Sequence, residues 1–188
     1  MEVLFGGYIG IADGKIVSIS KVPPAEPPAT IIDGTGMVAM PGLINCHTHL
    51  AATVLRSFAD DLSAAEALEA QLRKEAKMDS RCAKAAALLG IAECLRFGVT
   101  SVSDLYYYPG ATAEAAAEAG IKGNFALSSY RFIDENEEFD FDTDEQCQEL
   151  CRVTEKWHNH DNGRIRIDAG IWAEGNGIRP GTEDPQAE

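Results

Sequence analysis

Two histidines separated by one residue, His47 and His49, are the side chains whose type and spacing best suit chemistry in this chain. Alternate residues of a β-strand point to the same side, so histidines at positions i and i+2 can converge on one ion. Imidazole binds zinc, iron and nickel well, and two convergent imidazoles supply half of a four-ligand set. The pair therefore predicts a divalent metal site, with zinc favoured and iron or nickel as alternatives.

The segment before the histidines predicts the strand that would hold them. Residues 42–45 form a short apolar run entered through Pro41, which is typical of a buried strand. The histidines would then lie at the carboxyl end of a strand, where barrel enzymes collect their catalytic groups. Cys46 alternates with them and is expected to pack toward a layer of helices.

A second His-x-His sequence, at His158 and His160, has a different context. It follows a polar helical segment and precedes the turn residues Asn162 and Gly163. On a helix, side chains at i and i+2 point in very different directions, so the two rings would diverge. Both histidines would suit a helix C-terminus, where the dipole favours cations. We predict surface histidines here, not a metal site.

Three segments resemble the amidohydrolase superfamily. Residues 31–49 read IIDGTGMVAMPGLINCHTH, residues 53–62 read TVLRSFADDL, and residues 97–106 read FGVTSVSDLY. Within that superfamily, the chain is most similar to the branch of S-adenosylhomocysteine and methylthioadenosine deaminases, guanine and cytosine deaminases, and triazine chlorohydrolases. The resemblance extends from about Tyr8 to about Ile171.

This resemblance implies a (β/α)₈ barrel flanked by a small β-domain. It also implies hydrolysis of a non-peptide C–N or C–halide bond in a nitrogen heterocycle by metal-activated water, with His47 and His49 as metal ligands. The other ligands and the proton-transferring glutamate of the family lie on later strands, so no catalytic residue is assigned here. When the sequence is aligned with related deaminases and one residue of the preceding loop is deleted, Glu75 takes the position of a glutamate that binds ribose hydroxyls in those proteins. Its place on a helix beside Glu66 and Glu69 favours an ordinary solvated glutamate, and substrate binding by Glu75 is the alternative.

The first forty residues predict a partial β-sandwich element. A hairpin is expected over residues 8–19, with a primed turn at Asp13-Gly14. Two further strands, at residues 30–32 and 37–40, flank the turn residues 33–36. Domain 1–40 is therefore predicted to be all β.

Residues 41–172 alternate between helix and strand patterns, which predicts an α/β architecture. About four β/α units are expected, the first half of a (β/α)₈ TIM barrel. Asp104 is expected to end one strand and line the barrel mouth. Residues 173–188, rich in Gly, Pro and acid, predict a disordered tail. The predicted helices span residues 63–77, 79–97, 112–119 and 144–158, and the predicted strands span residues 99–104, 121–128 and 164–171.

Charge and composition exclude several classes of partner. Sixteen basic and thirty acidic residues give a net charge of −14, which disfavours nucleic acid and anionic membranes. No run is a membrane span, and the N-terminus lacks the basic start of a secretion signal. Five scattered cysteines are expected to be reduced core thiols. We predict a cytoplasmic protein, and homo-oligomerisation stays open; the small heterocyclic substrate is what the resemblance implies.

Two alternatives also stay open. A complete barrel takes about 250 residues, so a chain of 188 would be a fragment. Such a chain could be non-catalytic, with a weak two-histidine metal site. The second alternative is a cyclic-amide hydrolase. That branch usually has a carboxylated lysine on a middle strand, and residues 165–171 contain no lysine.

Overall fold

A parallel sheet of four strands carries the histidine pair in the computed structural model, which describes residues 3–127 and 140–170. The strands follow chain order across the sheet, and each neighbouring pair is parallel. Each connection between them passes through helix, as parallel pairing requires. The α/β prediction is confirmed. The strands are β1 (Tyr8–Ala12), β2 (Lys15–Ser20), β3 (Leu43–Thr48), β4 (Val99–Tyr106), β5 (Lys122–Leu127) and β6 (Ile165–Ala169); the helices are α1 (Ala64–Glu75), α2 (Ser80–Arg96), α3 (Pro109–Ala119) and α4 (Glu145–Trp157).

The ends of the helices follow from local side-chain chemistry. Ser63 and Glu66 form a reciprocal capping box at the start of α1, and the Asp79 carboxylate accepts from Cys82 N at 2.7 Å at the start of α2. Gly98 and Gly120, each with φ +81°, follow α2 and α3 in a backbone conformation that glycine adopts without a steric cost. These helix boundaries were predictable from the residue types alone.

The core lies between the sheet and its helices, and it fixes the segment that follows the histidines. Ile91 of α2 and Phe125 of β5 are fully buried there. Gly90 of α2 faces a short 3₁₀ helix, Leu50–Leu55, which begins directly after His49. A Cβ atom at Gly90 would lie 2.9 Å from Thr53 Oγ1. The absence of a side chain therefore lets α2 pack closely against this segment.

The chain divides into two units, Met1–Pro41 and Gly42–Glu188. In the first unit, β1 and β2 form the predicted antiparallel hairpin, with positive φ at Asp13 and Gly14. The strands predicted at residues 30–32 and 37–40 are wrong. Those residues pair with no strand in the part of the chain that the structure describes, and the apolar side chains of Ile31 and Ile32 are 78% and 85% exposed. An apolar β-branched run becomes a strand only where another strand pairs with it.

Some predictions fall outside the described residues. The predicted tail at residues 173–188 lies there, as does the last residue of each of the strands predicted at residues 121–128 and 164–171. No helix among residues 3–127 and 140–170 is long and apolar enough to cross a membrane. The prediction that the cysteines lie in the core holds only in part: Cys94 is partly buried and packs against the core, whereas Cys46 and Cys82 are exposed.

Arg164, just before β6, ties the C-terminus of α3 to the sheet. Its guanidinium donates to the backbone carbonyls of Ala116 at 3.2 Å and Ile121 at 2.9 Å, where the helix dipole is negative. We expect Arg164→Met to lower the free energy of unfolding by about 2 kcal/mol. Arg166→Met, at an exposed position of β6, is the control and should change it by less than about 0.5 kcal/mol. Urea denaturation measures both, and equal effects would contradict this role.

Candidate metal centre

The imidazoles of His47 and His49 converge at the end of β3. Their Nε2 atoms lie 3.2 Å apart, and the ring planes are nearly perpendicular at 79°. Both side chains are exposed. The structure thus brings together the two side chains that the sequence nominates as metal ligands.

A backbone carbonyl of the neighbouring strand fixes the orientation of His49. The Nδ1 atom of His49 lies 2.5 Å from the carbonyl oxygen of Leu105 in β4. A carbonyl can only accept, so Nδ1 carries the proton and donates it. The lone pair of His49 is therefore on Nε2, the atom that faces His47. Metal-binding histidines are commonly held by such a bond from their other ring nitrogen.

The spacing of the two nitrogens fits a tetrahedral zinc ion. Zinc lies about 2.0–2.1 Å from each imidazole nitrogen, which puts two such nitrogens about 3.3 Å apart. The observed separation of 3.2 Å matches that value. Within residues 3–127 and 140–170, however, no group of three or more His, Cys, Asp or Glu side chains is arranged to hold a metal ion. The described part of the chain thus offers two ligands of a set.

Asp104 is a buried carboxylate beside this pair, and its predicted position at the barrel mouth is wrong. The strand continues past it to Tyr106, and the side chain is 3% exposed, on the helix side of the sheet with Val102. One of its oxygens, Oδ1, accepts from Thr48 Oγ1 at 2.9 Å and from the backbone N–H of Leu50 at 2.6 Å. Loss of hydration raises the pKa of Asp104 to about 6, although both hydrogen bonds oppose that shift.

We expect the metal-free chain to lose stability, relative to Asp104→Asn, as the pH rises from about 4 to about 6. The pKa of Asp104 is higher in the folded chain than its ordinary value of 3.8, so the folded chain binds the extra proton in this range. The protonated carboxyl group of Asp104 favours the folded chain at low pH. This contribution to the free energy of unfolding, about 3 kcal/mol, is lost as the pH rises through 6. Urea unfolding of both proteins at several pH values measures it. A stability difference that does not change with pH would contradict the assignment.

Glu75, at the end of α1, is buried with three hydrogen-bond donors around it. Its Oε1 accepts from Tyr106 at 2.6 Å and from Gln71 at 2.8 Å, and its Oε2 accepts from Tyr107 at 2.8 Å. The side chain is 5% exposed, so the favoured prediction of a solvated helix glutamate is wrong. The ring of Tyr106 also lies 5.9 Å from the ring of His49, which places the Glu75 cluster next to the histidine pair.

The sequence reasoning missed the partners of these groups. Three consecutive tyrosines (residues 106–108), the first of which ends β4, were the available signal, because buried phenol groups need acceptors. The Tyr108 hydroxyl also finds one, the carbonyl of Met78 at 2.5 Å. The pairing of Thr48 with Asp104 follows from the register of β3 on β4, which the sequence does not specify.

Two other predictions concern Cys46, which precedes His47, and the second His-x-His sequence. Cys46 is exposed, so its predicted packing against the helices is wrong. An irregular register between Asn45 and Thr48 interrupts the simple alternation on which that prediction rested. The second sequence, His158 and His160, is exposed as predicted, and the His158 ring binds the backbone of Ile167.

Comparison with known families decides the lineage. Residues 38–173, most of the sheet-bearing unit, match the profile of the amidohydrolase family. The chain belongs to the amidohydrolase family. The match covers both histidines, Glu75 and Asp104, so the groups described above lie within the family's shared region.

Individual relatives place this amidohydrolase in the predicted branch. It is 39% identical to a 5-methylthioadenosine/S-adenosylhomocysteine deaminase of Dictyoglomus thermophilum, over 74% of this chain and 32% of that protein. It is 35% identical to a 5'-deoxyadenosine deaminase of Methanosphaera stadtmanae, over 84% of this chain and 36% of that protein. The chain thus spans about a third of the length of these curated relatives.

A solved structure with a similar fold is the atrazine chlorohydrolase TrzN of Arthrobacter aurescens, complexed with zinc. The likeness has a TM-score of 0.72 and 28% sequence identity, and it covers 87% of this chain and 41% of that one. The α/β fold of this amidohydrolase is therefore similar to that of a chlorohydrolase whose structure was solved in complex with zinc.

Proposed function

We propose that this protein is a metal-dependent hydrolase that removes an amino group from a nitrogen heterocycle, and that His47 and His49 hold its zinc. The observation that carries the proposal is the 3.2 Å convergence of the two Nε2 atoms, with His49 Nδ1 bound to a carbonyl. A zinc ion bound there would lower the pKa of a water molecule and act as a Lewis acid. The two imidazoles would supply neutral nitrogen ligands, and the Leu105 carbonyl would keep the lone pair of His49 on the ligating atom.

We propose that β3 to β6 form the first half of a (β/α)₈ barrel and that residues 1–40 belong to a flanking β-domain. The parallel order of the four strands supports this, as does the likeness to 41% of the triazine hydrolase chain. The further ligands and a proton-transferring glutamate would come from the two thirds of the relatives' length that this chain does not span.

The substrate would be an adenosine-type nucleoside, since the relatives at 35–39% identity are deaminases of such compounds by name. Glu75 is proposed to bind hydroxyl groups of that substrate. Its Oε1 accepts two hydrogen bonds and its Oε2 accepts one from Tyr107. A carboxylate oxygen has two lone-pair sites, so Oε2 retains capacity for a further donor.

The test is ammonia release by the native protein, captured from its source with antibodies to this chain. The substrates offered one at a time are 5-methylthioadenosine, S-adenosylhomocysteine and 5'-deoxyadenosine, each with and without zinc. We expect zinc-dependent release from at least one of them. Chloride release from atrazine, run in parallel, would detect the C–halide chemistry of the triazine hydrolases.

A second candidate is a non-catalytic chain with a weak two-histidine metal site. The absence of a third metal ligand near the pair, among the residues that the structure describes, favours it. Zinc bound by a native protein of about the calculated 20.2 kDa, without ammonia or chloride release, would support this candidate and contradict the first.

A further inference from the structure

The backbone on either side of His49 is fastened to β4 by one carboxylate. Oδ1 of Asp104 accepts from the hydroxyl of Thr48, which precedes His49, and from the backbone N–H of Leu50, which follows it. The Thr48 hydroxyl is also 3.1 Å from the carbonyl oxygen of Ser103. His49 is thus the residue between two anchored neighbours.

This fastening occurs where the strand ladder is interrupted. Asn45 of β3 pairs with Val102 of β4, and Thr48 pairs with Asp104, so β3 has one residue more than β4 between these two pairs. Such a bulge removes regular ladder contacts and turns a side chain to a new direction. Beside the bulge, Oδ1 of Asp104 accepts hydrogen bonds from the Thr48 hydroxyl and the Leu50 N–H. These bonds hold the two strands together where the regular backbone ladder is interrupted.

We propose that Asp104 is a positioning residue for the histidine pair: its Oδ1 fixes the backbone around His49 and thereby sets the approach of the two imidazoles. The inference rests on the proposed metal site for its function, but the positioning itself concerns the chain alone. Asp104 acts through Thr48 and Leu50 and is not itself a ligand. What matters is the acceptor atom, not the charge, because both donors use the same oxygen.

Three substitutions in the full chain separate the acceptor from the charge. Asp104→Asn keeps an Oδ1 acceptor without the charge, whereas Asp104→Ala removes the acceptor. Thr48→Val removes one of the two donors at nearly constant shape. Ile167→Ala is the control for lost stability, because Ile167 is buried in β6, two strands away from β4.

The first readout is zinc affinity, measured by competition with a chromophoric chelator. We expect Asp104→Ala to weaken zinc binding about tenfold, the lower end of the loss caused by removing a direct outer partner of a metal ligand, because Asp104 acts on His49 through Thr48 and Leu50. Asp104→Asn should stay within about fivefold of the parent chain, and so should Ile167→Ala. The proposal is overturned if Asp104→Asn binds as weakly as Asp104→Ala, or if Asp104→Ala binds as the parent does.

The second readout needs no metal. Long-range ¹H–¹⁵N spectra of the metal-free chain report which ring nitrogen of His49 carries the proton. We expect a single Nδ1–H form in the parent and in Asp104→Asn, and a mixture of forms in Asp104→Ala and Thr48→Val. If Asp104→Ala does not fold, Thr48→Val decides the question. Failure of the parent to bind zinc would overturn the proposed function, whereas an unchanged single form in every variant would overturn the positioning role.

Discussion

Replacement of His47 by alanine is expected to lower the zinc affinity of the chain by more than about 100-fold. Loss of an outer partner of a metal ligand already costs about 10- to 100-fold, and loss of a ligand itself should cost more. The described part of the chain brings two ligands together, so one imidazole would remain. Isothermal titration with zinc chloride measures the affinity, and His49→Ala should behave in the same way.

The chain contains its own control for this experiment. His160 lies in the second His-x-His sequence, is exposed, and contacts the ring of Trp157. His160→Ala should leave the zinc affinity unchanged. Equal losses in His47→Ala and His160→Ala would show that zinc binds to surface histidines in general, which would remove the basis of the proposed function.

Replacement of Glu75 by leucine is expected to lower the free energy of unfolding by about 3 kcal/mol or more. Leucine fills a similar volume but accepts no hydrogen bond, so the hydroxyls of Tyr106 and Tyr107 would lose their shared acceptor. Loss of a hydrogen bond to a carboxylate costs about 1.5–3 kcal/mol, and two such bonds would be lost. Urea denaturation followed by circular dichroism measures the change. Glu75→Gln keeps one carbonyl oxygen and should fall between leucine and the parent.

Glu69 provides the matched control on the same helix. Its side chain is exposed and pairs with Arg73 one turn away, a surface interaction of small worth. Glu69→Leu should change the stability by less than about 0.5 kcal/mol. If Glu75→Leu were equally mild, Glu75 would not be the centre of a buried hydrogen-bond cluster.

The sequence was sufficient for features that depend on neighbouring residues. The convergence of His47 and His49 and the capping of α2 by the carboxylate of Asp79 both agree with what the neighbouring residues predicted. Helices α2 and α3 end before Gly98 and Gly120, because glycine adopts the positive φ of a helix C-terminus without a steric cost. Each of these needs knowledge of a few adjacent residues, and each agrees with the structure.

The sequence was insufficient where distant segments decide the outcome. Burial of Glu75 depends on α1 packing against the end of β4, about 30 residues later in the chain. Burial of Asp104 depends on the register between β3 and β4, and exposure of Cys46 depends on the bulge in that register. The apolar run at 30–32 has strand character, but no strand among the described residues pairs with it. Pairing and register are properties of the assembled fold.

The central claim is that the two imidazoles of His47 and His49 bind the metal, and X-ray absorption at the zinc edge tests it most directly. The exposed thiol of Cys46, adjacent to His47, is the main competing ligand. With equimolar zinc, we expect only nitrogen and oxygen neighbours at about 2.0–2.1 Å, with the multiple scattering of two imidazoles, which the His47→Ala, His49→Ala double variant should lose. A sulfur neighbour at about 2.3 Å, or an unchanged spectrum in the double variant, would contradict the claim.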